Sequence, residues 1–392
     1  MMKITGSPPG ATEWLQHAKL MRKQQLCKLA QLGTLVSRIS HLAHMLQCER
    51  GASNIWLCSQ GALYTPECKA SRALVDEQLL ALQQALGSPL MASAALCERV
   101  AHALHHLEQL PTLREQIMAR TLAADRAMEH YSRTLRHLLS IVPQLNDSID
   151  DPQIAGRFVA LYSLMQGKEL VGQERALGAI GFTQGFFSDE MRQTLVDRID
   201  GQQACFDVFL SLTPQQLQEH FTLSTPGAEA EQLRRLACTR QPAADNGVLA
   251  LHWFSLLTER LEHLRSQEEL LIADLMIAVD RLITHADDYP PEAAAVNEPI
   301  GHYPVQPLLP LVRQQAREIE QLSQQLASMR DTLEERKIID KAKSVLMTHQ
   351  QMSEDQAWCQ LRKMAMDKNQ RMVDIARALL TVKALWQVTP KE

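Results

Sequence analysis

From Val248 to Asp287 the chain runs without a glycine or a proline, and no other feature constrains the fold as much. Proline removes a backbone donor and glycine costs backbone entropy, so a helix interior tolerates neither well. Their absence from a stretch rich in Leu, Ala, Glu and Arg predicts one long helix. Elsewhere the same two residues act as punctuation. Residues 11–142 read as helical runs broken at Gly61, Pro66, Gly87-Ser88-Pro89 and Pro111. The segment PQLNDSIDDPQ (143–153) reads as a polar turn, and the runs after it break near Gly181 to Ser188, at Thr213-Pro214 and at Ser224-Thr225-Pro226-Gly227. Aromatic residues make up only 5% of the chain, which disfavours strands. The expectation is an all-α protein whose residues 1–288 form two consecutive groups of about four helices, 11–142 and 153–288. Each group buries its apolar stripes as a bundle.

A different composition follows. Six prolines between 290 and 310 exclude a helix or a central strand, so 289–310 is expected to be an extended linker. In 311–333, Val312, Gln315, Ile319, Leu322, Leu326, Met329 and Leu333 recur at alternating steps of three and four. That is a coiled-coil seam, which pairs two chains or folds back on the body, and a homodimer is the expected assembly. Three further helical patterns occupy 334–392. Ser353 and Gln356 make a capping box that opens the middle one, and Asn369 suits the start of the third. From residue 308 onward there are 14 Lys/Arg against 11 Asp/Glu, a net +3 in a chain whose total is −5. A basic module therefore follows an acidic body, which permits a polyanionic partner for the tail.

Several function classes are disfavoured. The first residues have no apolar stretch of signal-peptide length, and no segment has the ~20 apolar residues that span a bilayer. The expected location is the cytoplasm, away from membranes. The eight cysteines include no CxxC pair and read as reduced small hydrophobes. Histidines recur three apart in HLAH (41–44) and HALHH (102–106), with no third ligand at metal-site spacing, so neither a metal nor a cofactor is expected. The glycines of GAIG and GFTQG fall at expected helix ends and do not form a phosphate cradle. No catalytic constellation stands out, and the chain does not read as an enzyme.

The feature that asks for a chemical explanation is a repeated charged pair, LQCERGAS at 46–53 and VGQERALG at 171–178. Leu32, Val36, Ile39, Ala43 and Leu46 form a helical stripe that Arg50 continues, with Ser53 and Leu57 beyond it. Leu164, Val171, Arg175, Gly178 and Ala179 line up similarly, interrupted by Lys168. A guanidinium on an apolar face costs several kcal/mol unless an anion compensates it. Either carboxylates such as Glu49 and Glu174 pair with the arginines as a structural network, or Arg50 and Arg175 form a pocket for a small planar oxyanion. The guanidinium fork suits such an ion, and Gly51, Ala52, Ala176 and Gly178 would leave room for it. A further arginine lies in AEQLRRLACTR, where periodicity does not choose between Arg234 and Arg235.

The ERGAS segment and the second Glu-Arg, set in a helical body of this length, resemble the NIT domain, a nitrate and nitrite sensing module. The resemblance implies a pair of four-helix bundles whose arginines hold the anion, which carries over to Arg50, Arg175 and Arg235. The stretch EERKIIDKAKSVLMTHQQMSEDQAWCQLRKMAMDKNQRMVDIARALL (334–380) is similar to the ANTAR domain, a three-helix RNA-binding module of antiterminators. The matching positions are Ile338, Ala342, Lys343, Leu346, Met347, Ala357, Leu361, Arg362, Ala365, Met366 and Ala376. Ser344 stands where that family often has glycine.

The residues themselves place Lys337, Lys341, Ser344 and Thr348 on the polar side of their helix, with Lys343 at its flank. Arg362 and Lys363 border the Ala357-Leu361-Ala365 stripe, and Lys368 and Arg371 bracket the next turn. These seven cations are the candidate RNA contacts. The double resemblance implies a positive regulator of nitrate assimilation genes. Nitrate or nitrite, bound by the body, would release the tail to bind leader-RNA hairpins and prevent termination, reaching the elongation complex indirectly. The alternatives are a sensor of another anion, or a constitutive RNA- or DNA-binding adaptor on a structural scaffold.

Overall fold

The computed structural model describes residues 10–87, 93–146, 149, 151–239, 242, 247–285, 335, 337–348, 352–368 and 371–386. Among them every regular element is a helix. The chain divides into two units at residue 313. The linker predicted over 289–310, the seam over 311–333 and the cap at Asn369 lie outside the described residues.

The first unit is built on three long helices. α1 (Ala11–Cys58) is followed by α2 (Thr65–Leu86), α3 (Ala94–Leu107), α4 (Leu110–Met118), α5 (Ala124–Leu139) and α6 (Ile141–Asn146). α7 (Pro152–Gln184) then leads to α8 (Asp189–Leu212), α9 (Gln215–Gln218), a 3-10 turn over Glu219–Ser224, α10 (Ala228–Thr239) and α11 (Val248–His285). The proline-free run is thus one continuous helix to the limit of the described residues. α6 occupies the start of the segment read as a turn. Its Pro143 sits in the first helical turn, where a missing donor costs nothing.

Side-chain chemistry fixes the ends of α7. Asp151 accepts from the backbone N–H of Gln153 and Ile154 at 2.9 and 3.0 Å, and Pro152 takes the first helical position. Gly185 ends the helix with φ +64°, the left-handed conformation that glycine adopts without strain. α7 runs through Gly178 and Gly181, which do not end a helix as the sequence suggested. A Cβ at these positions would strike the Trp253 and Phe187 rings, so the glycines let aromatic side chains lie against the α7 backbone.

α1 packs against α2 and α5, while α7 packs against α8 and α11. The two groups meet because α1 also lies along α7 and α11. One apolar core, which includes Leu46 of α1, Leu135 of α5, Leu164 of α7 and Leu264 of α11, spans both groups. Ile55 of α1 joins a second cluster around Trp253. Each fully buried Leu contributes about 1.5–3 kcal/mol, and truncating one to Ala costs about 2–5 kcal/mol. The α1–α7 seam is therefore well packed, and it carries both Glu-Arg pairs. Among the described residues no helix is long and apolar enough to cross a membrane.

The second unit contains α12 (337–348), α13 (Glu354–Lys368) and α14 (Met372–Trp386). Its core joins Ala342 and Leu346 to Ala357, Leu361 and Ala365, and to Ile375 and Ala376. Each helix brings at least one buried alanine to this core, Ala342, Ala357 and Ala376, and these small side chains leave room for the helices to approach. The predicted capping box is present, with Ser353 N–H donating to Gln356 Oε1 at 3.0 Å and Gln356 N–H to Ser353 Oγ at 3.3 Å.

Candidate functional site

The two Glu-Arg pairs point their members in opposite directions. Each glutamate faces its own helix group and takes a two-pronged arginine there. Glu49 accepts from Arg114 Nε and Nη2 at 2.7 and 2.8 Å and from the Tyr131 hydroxyl at 2.8 Å. Glu174 accepts from Arg234 Nε and Nη2 at 2.6 and 2.8 Å and from Gln202 Nε2 at 2.6 Å. Both carboxylates are fully buried, and these charge-assisted pairs offset the cost of taking them out of water.

Each arginine instead reaches across the α1–α7 seam and lies on a glycine of the opposite helix. Arg50 sits against Gly172, and Arg175 against Gly51, where an added Cβ would come within 2.5 Å of Arg175 Nη2. The two guanidinium groups are thus buried neighbours in one seam, but their surroundings differ. Arg50 has a carboxylate, donating through Nη1 and Nη2 to Glu169 at 2.5 and 3.0 Å, and through Nη1 to Ser132 Oγ at 2.9 Å. Arg175 has none within ion-pair distance among the described residues. Its Nη1 donates to Thr258 Oγ1 at 2.9 Å, its Nη2 to the Gln47 carbonyl at 2.8 Å, and its plane lies 4.6 Å from the Phe254 ring centre. The Nε atoms of both arginines have no hydrogen-bond partner among the described residues. Burial, with further repulsion from Arg50, brings the Arg175 pKa down to about 10. Glu169 thus neutralises Arg50 alone, and the positive charge of Arg175 is left over.

Nearby buried charges are matched. Lys168, which interrupts the α7 stripe, is itself buried and pairs with Glu268 of α11. Glu268 also accepts from Ser40 Oγ at 2.8 Å, and Ser40 Oγ accepts from Arg265 at 3.0 Å.

Arg234 is buried, and its polar contacts go to Glu174, Glu231 and Gln202. Arg235 is exposed. Arg260 of α11 was not singled out from sequence. It donates to the Ser224 carbonyl at 2.8 Å and to Gln202 Oε1 at 2.9 Å, and burial brings its pKa down to about 10. Arg114, Glu169 and Glu268 were likewise missed. Their buried charged partners Glu49, Arg50 and Lys168 lie more than sixty residues away, and only the apolar residues flanking them hinted at burial.

In the second unit Lys337, Lys341, Arg362 and Lys363 are exposed. Lys343 is held between Asp340 and Glu354, at 2.7 Å from each, and hydrogen bonding to these carboxylates raises its pKa. Arg371 pairs with Glu335 at 3.2 Å and Asp374 at 3.4 Å. The Lys368 side chain lies outside the described residues. Trp358, Arg362 and Met366 stand four apart along α13, and the two apolar side chains are 42% and 72% exposed. They form a solvent-facing strip of ring, guanidinium and thioether, and Lys343 Nζ lies 5.9 Å from the ring centre.

Comparison with known proteins decides which family this architecture represents. Residues 41–276 match the family described as nitrate and nitrite sensing (NIT). The chain belongs to the NIT family. Both Glu-Arg pairs and Arg234 fall within the NIT match. Residues 327–380 match the ANTAR domain, which takes in every described cation discussed for the second unit. This NIT–ANTAR chain is 60% identical to a nitrate regulatory protein of Klebsiella oxytoca, with all of both chains covered. Among solved structures it is similar to that of the NasR transcription antiterminator, at a TM-score of 0.73 and 60% identity, covering 96% of this chain and all of that one.

Proposed function

We propose that this NIT–ANTAR chain is a nitrate-responsive regulator of transcription antitermination, and not an enzyme. The observation that carries the reading is the surplus positive charge in the α1–α7 seam, where Glu169 pairs with Arg50 and the buried guanidinium of Arg175 has no carboxylate within ion-pair distance among the described residues. Nitrate is a small planar monoanion. It neutralises that charge and accepts from the free Nε edges of Arg175 and Arg50. Arg234 supports the seam through its bond to Glu174. Arg235, exposed beside it, serves as the contrast residue for mutagenesis.

In this reading α1, α7 and α11 sense the anion, because Arg175 touches all three through the Gln47 carbonyl, its own backbone and Thr258. An anion that binds one arrangement of these helices better than another shifts the population toward it. That shift frees the ANTAR unit to bind leader-RNA hairpins. Lys337, Lys341, Arg362 and Lys363 contact phosphates, and Trp358 offers a stacking face for unpaired bases. Lys343 and Arg371 are partly neutralised by acidic neighbours and contribute less. The domain limits that fit this division are a sensor to residue 288, a linker and seam to 333 and an RNA-binding module beyond. We place the regulator in the cytoplasm, acting as a dimer.

Isothermal titration of the full chain with nitrate, against chloride at equal ionic strength, tests the sensing step. The expected result is saturable nitrate binding that disappears in Arg175→Met while the helical circular dichroism spectrum is kept. Nitrate binding unchanged in that variant would remove the seam from the account.

A further inference from the structure

The α1–α11 contact holds a cluster that the sensing and RNA-binding readings do not use. His44 and Cys48 stand four apart on α1 and so project side by side, and Glu262 of α11 faces them. His44 Nε2 lies 3.7 Å from Cys48 Sγ and 3.7 Å from Glu262 Oε1, and all three ligand atoms lie within 4.8 Å of one another. Metal–ligand lengths of about 2.1 Å to nitrogen and 2.3 Å to sulfur place two ligands of a tetrahedral ion roughly 3.5 Å apart. Both separations from His44 are close to that value before any ion is added. We propose that His44, Cys48 and Glu262 form a binding site for a thiophilic divalent cation of the zinc class, which staples α1 to α11.

The ligand set suits that class. Imidazole nitrogen, thiolate sulfur and carboxylate oxygen are the donors zinc takes, and three protein ligands leave a fourth position for water. His44 is buried, and desolvation brings its pKa down to about 2, so its ring is neutral and a lone pair is available without displacing a proton. Cys48 is a thiol whose pKa burial raises. Binding breaks its S–H bond, forms a metal–sulfur bond and releases the proton to solvent with no change of oxidation state. The site therefore gains one positive charge in total.

Its cationic neighbours set the cost of that gain. Lys168 is matched by Glu268 and Arg265 by Glu269 at 2.9 Å, which leaves Arg175 as the opposing charge. The Glu262 side chain is 55% exposed, so an ion reaches the cluster from solvent and the carboxylate is free to swing onto it. Sequence spacing obscured the site because its third ligand is more than two hundred residues from the first two.

The test uses the reduced, tag-free full chain. Cobalt(II) titration should produce a thiolate-to-metal charge-transfer band with one equivalent per chain. Zinc should bleach the band and raise the melting temperature of the first unit. Cys48→Ser should remove the band, and Glu262→Gln, a change at an exposed carboxylate that leaves the fold intact, should weaken zinc binding by at least the roughly 10–100-fold that loss of an outer-shell partner costs. The proposal is overturned if no band appears, if the band persists at full intensity in Cys48→Ser, or if zinc stabilises the wild type and Glu262→Gln equally.

Discussion

Arg50 and Arg175 look equivalent in sequence, and the structure predicts that removing them has unequal consequences for stability. Arg50→Met would leave Glu169, itself buried, facing only the amides of Gln47 and Gln173. Stripping one partner from a buried ion pair costs about 3–5 kcal/mol. For a unit of this size 1 kcal/mol moves the melting temperature by about 2–4 °C, so the loss should be on the order of 10 °C. Arg175→Met deprives no carboxylate of a partner. It removes a desolvated charge and leaves only a carbonyl and a hydroxyl short of a donor. Its stability should stay within about 1 kcal/mol of the parent. Differential scanning fluorimetry of both variants in chloride, without nitrate, reads the contrast. The double variant Arg50→Met/Glu169→Met should recover most of the first loss, because the two positions act as a unit. Equal losses in the two single variants, or a larger loss in Arg175→Met, would refute the charge accounting in the seam.

Other consequences follow from the same geometry. Gly51→Ala and Gly172→Ala should each cost about 1–3 kcal/mol through overpacking against a guanidinium, and should weaken nitrate binding measured by titration. Arg234→Ala should destabilise the first unit by exposing Glu174 as an underpaired buried charge, whereas Arg235→Ala should leave the melting temperature unchanged. Acidification should destabilise the first unit. Burial brings the pKa of His44 to about 2 and that of His137 to about 4, against 6.5 when unfolded. The unfolded chain therefore takes up protons first, and stability is lost as pH falls below 6.5. A melting temperature that is flat from pH 7 to 4.5 would contradict this. Lys337→Ala with Lys341→Ala should weaken RNA binding and reduce the slope of log affinity against log salt by about 0.7–0.9 for each phosphate no longer neutralised. Trp358→Ala should cost about 1–3 kcal/mol at constant slope.

The sequence carried the helices because punctuation and periodicity are local properties. The proline-free run became α11, the Arg50 stripe became the buried face of α1, and Ser353 with Gln356 formed the cap their spacing predicted. Local signals misread α7, where Gly178 and Gly181 were taken for helix ends. Glycine marks a close approach as readily as a stop, and the aromatic rings that need the space lie far along the chain. The candidate site was legible only in part. The repeated Glu-Arg announced two buried cations, but which carboxylate serves which arginine is a property of the packing. Glu49 and Glu174, the nearest carboxylates in sequence, turn away to Arg114 and Arg234. Arg50 finds Glu169, and Arg175 finds no carboxylate among the described residues. Arg234 and Arg235 could not be told apart by period, because both flank the Leu233-Leu236-Ala237 stripe. Burial separates them.

The measurement that bears most directly on the central claim is binding of the full chain to leader-RNA hairpins at one fixed ionic strength, with nitrate and with chloride as the control anion. Holding salt constant removes the counterion effect that would otherwise mimic regulation. The account predicts tight binding in nitrate, weak binding in chloride, and loss of that difference in Arg175→Met while the Lys337 and Lys341 surface remains intact. Equal affinity in the two anions would contradict it, and would return the paired arginines to a structural role.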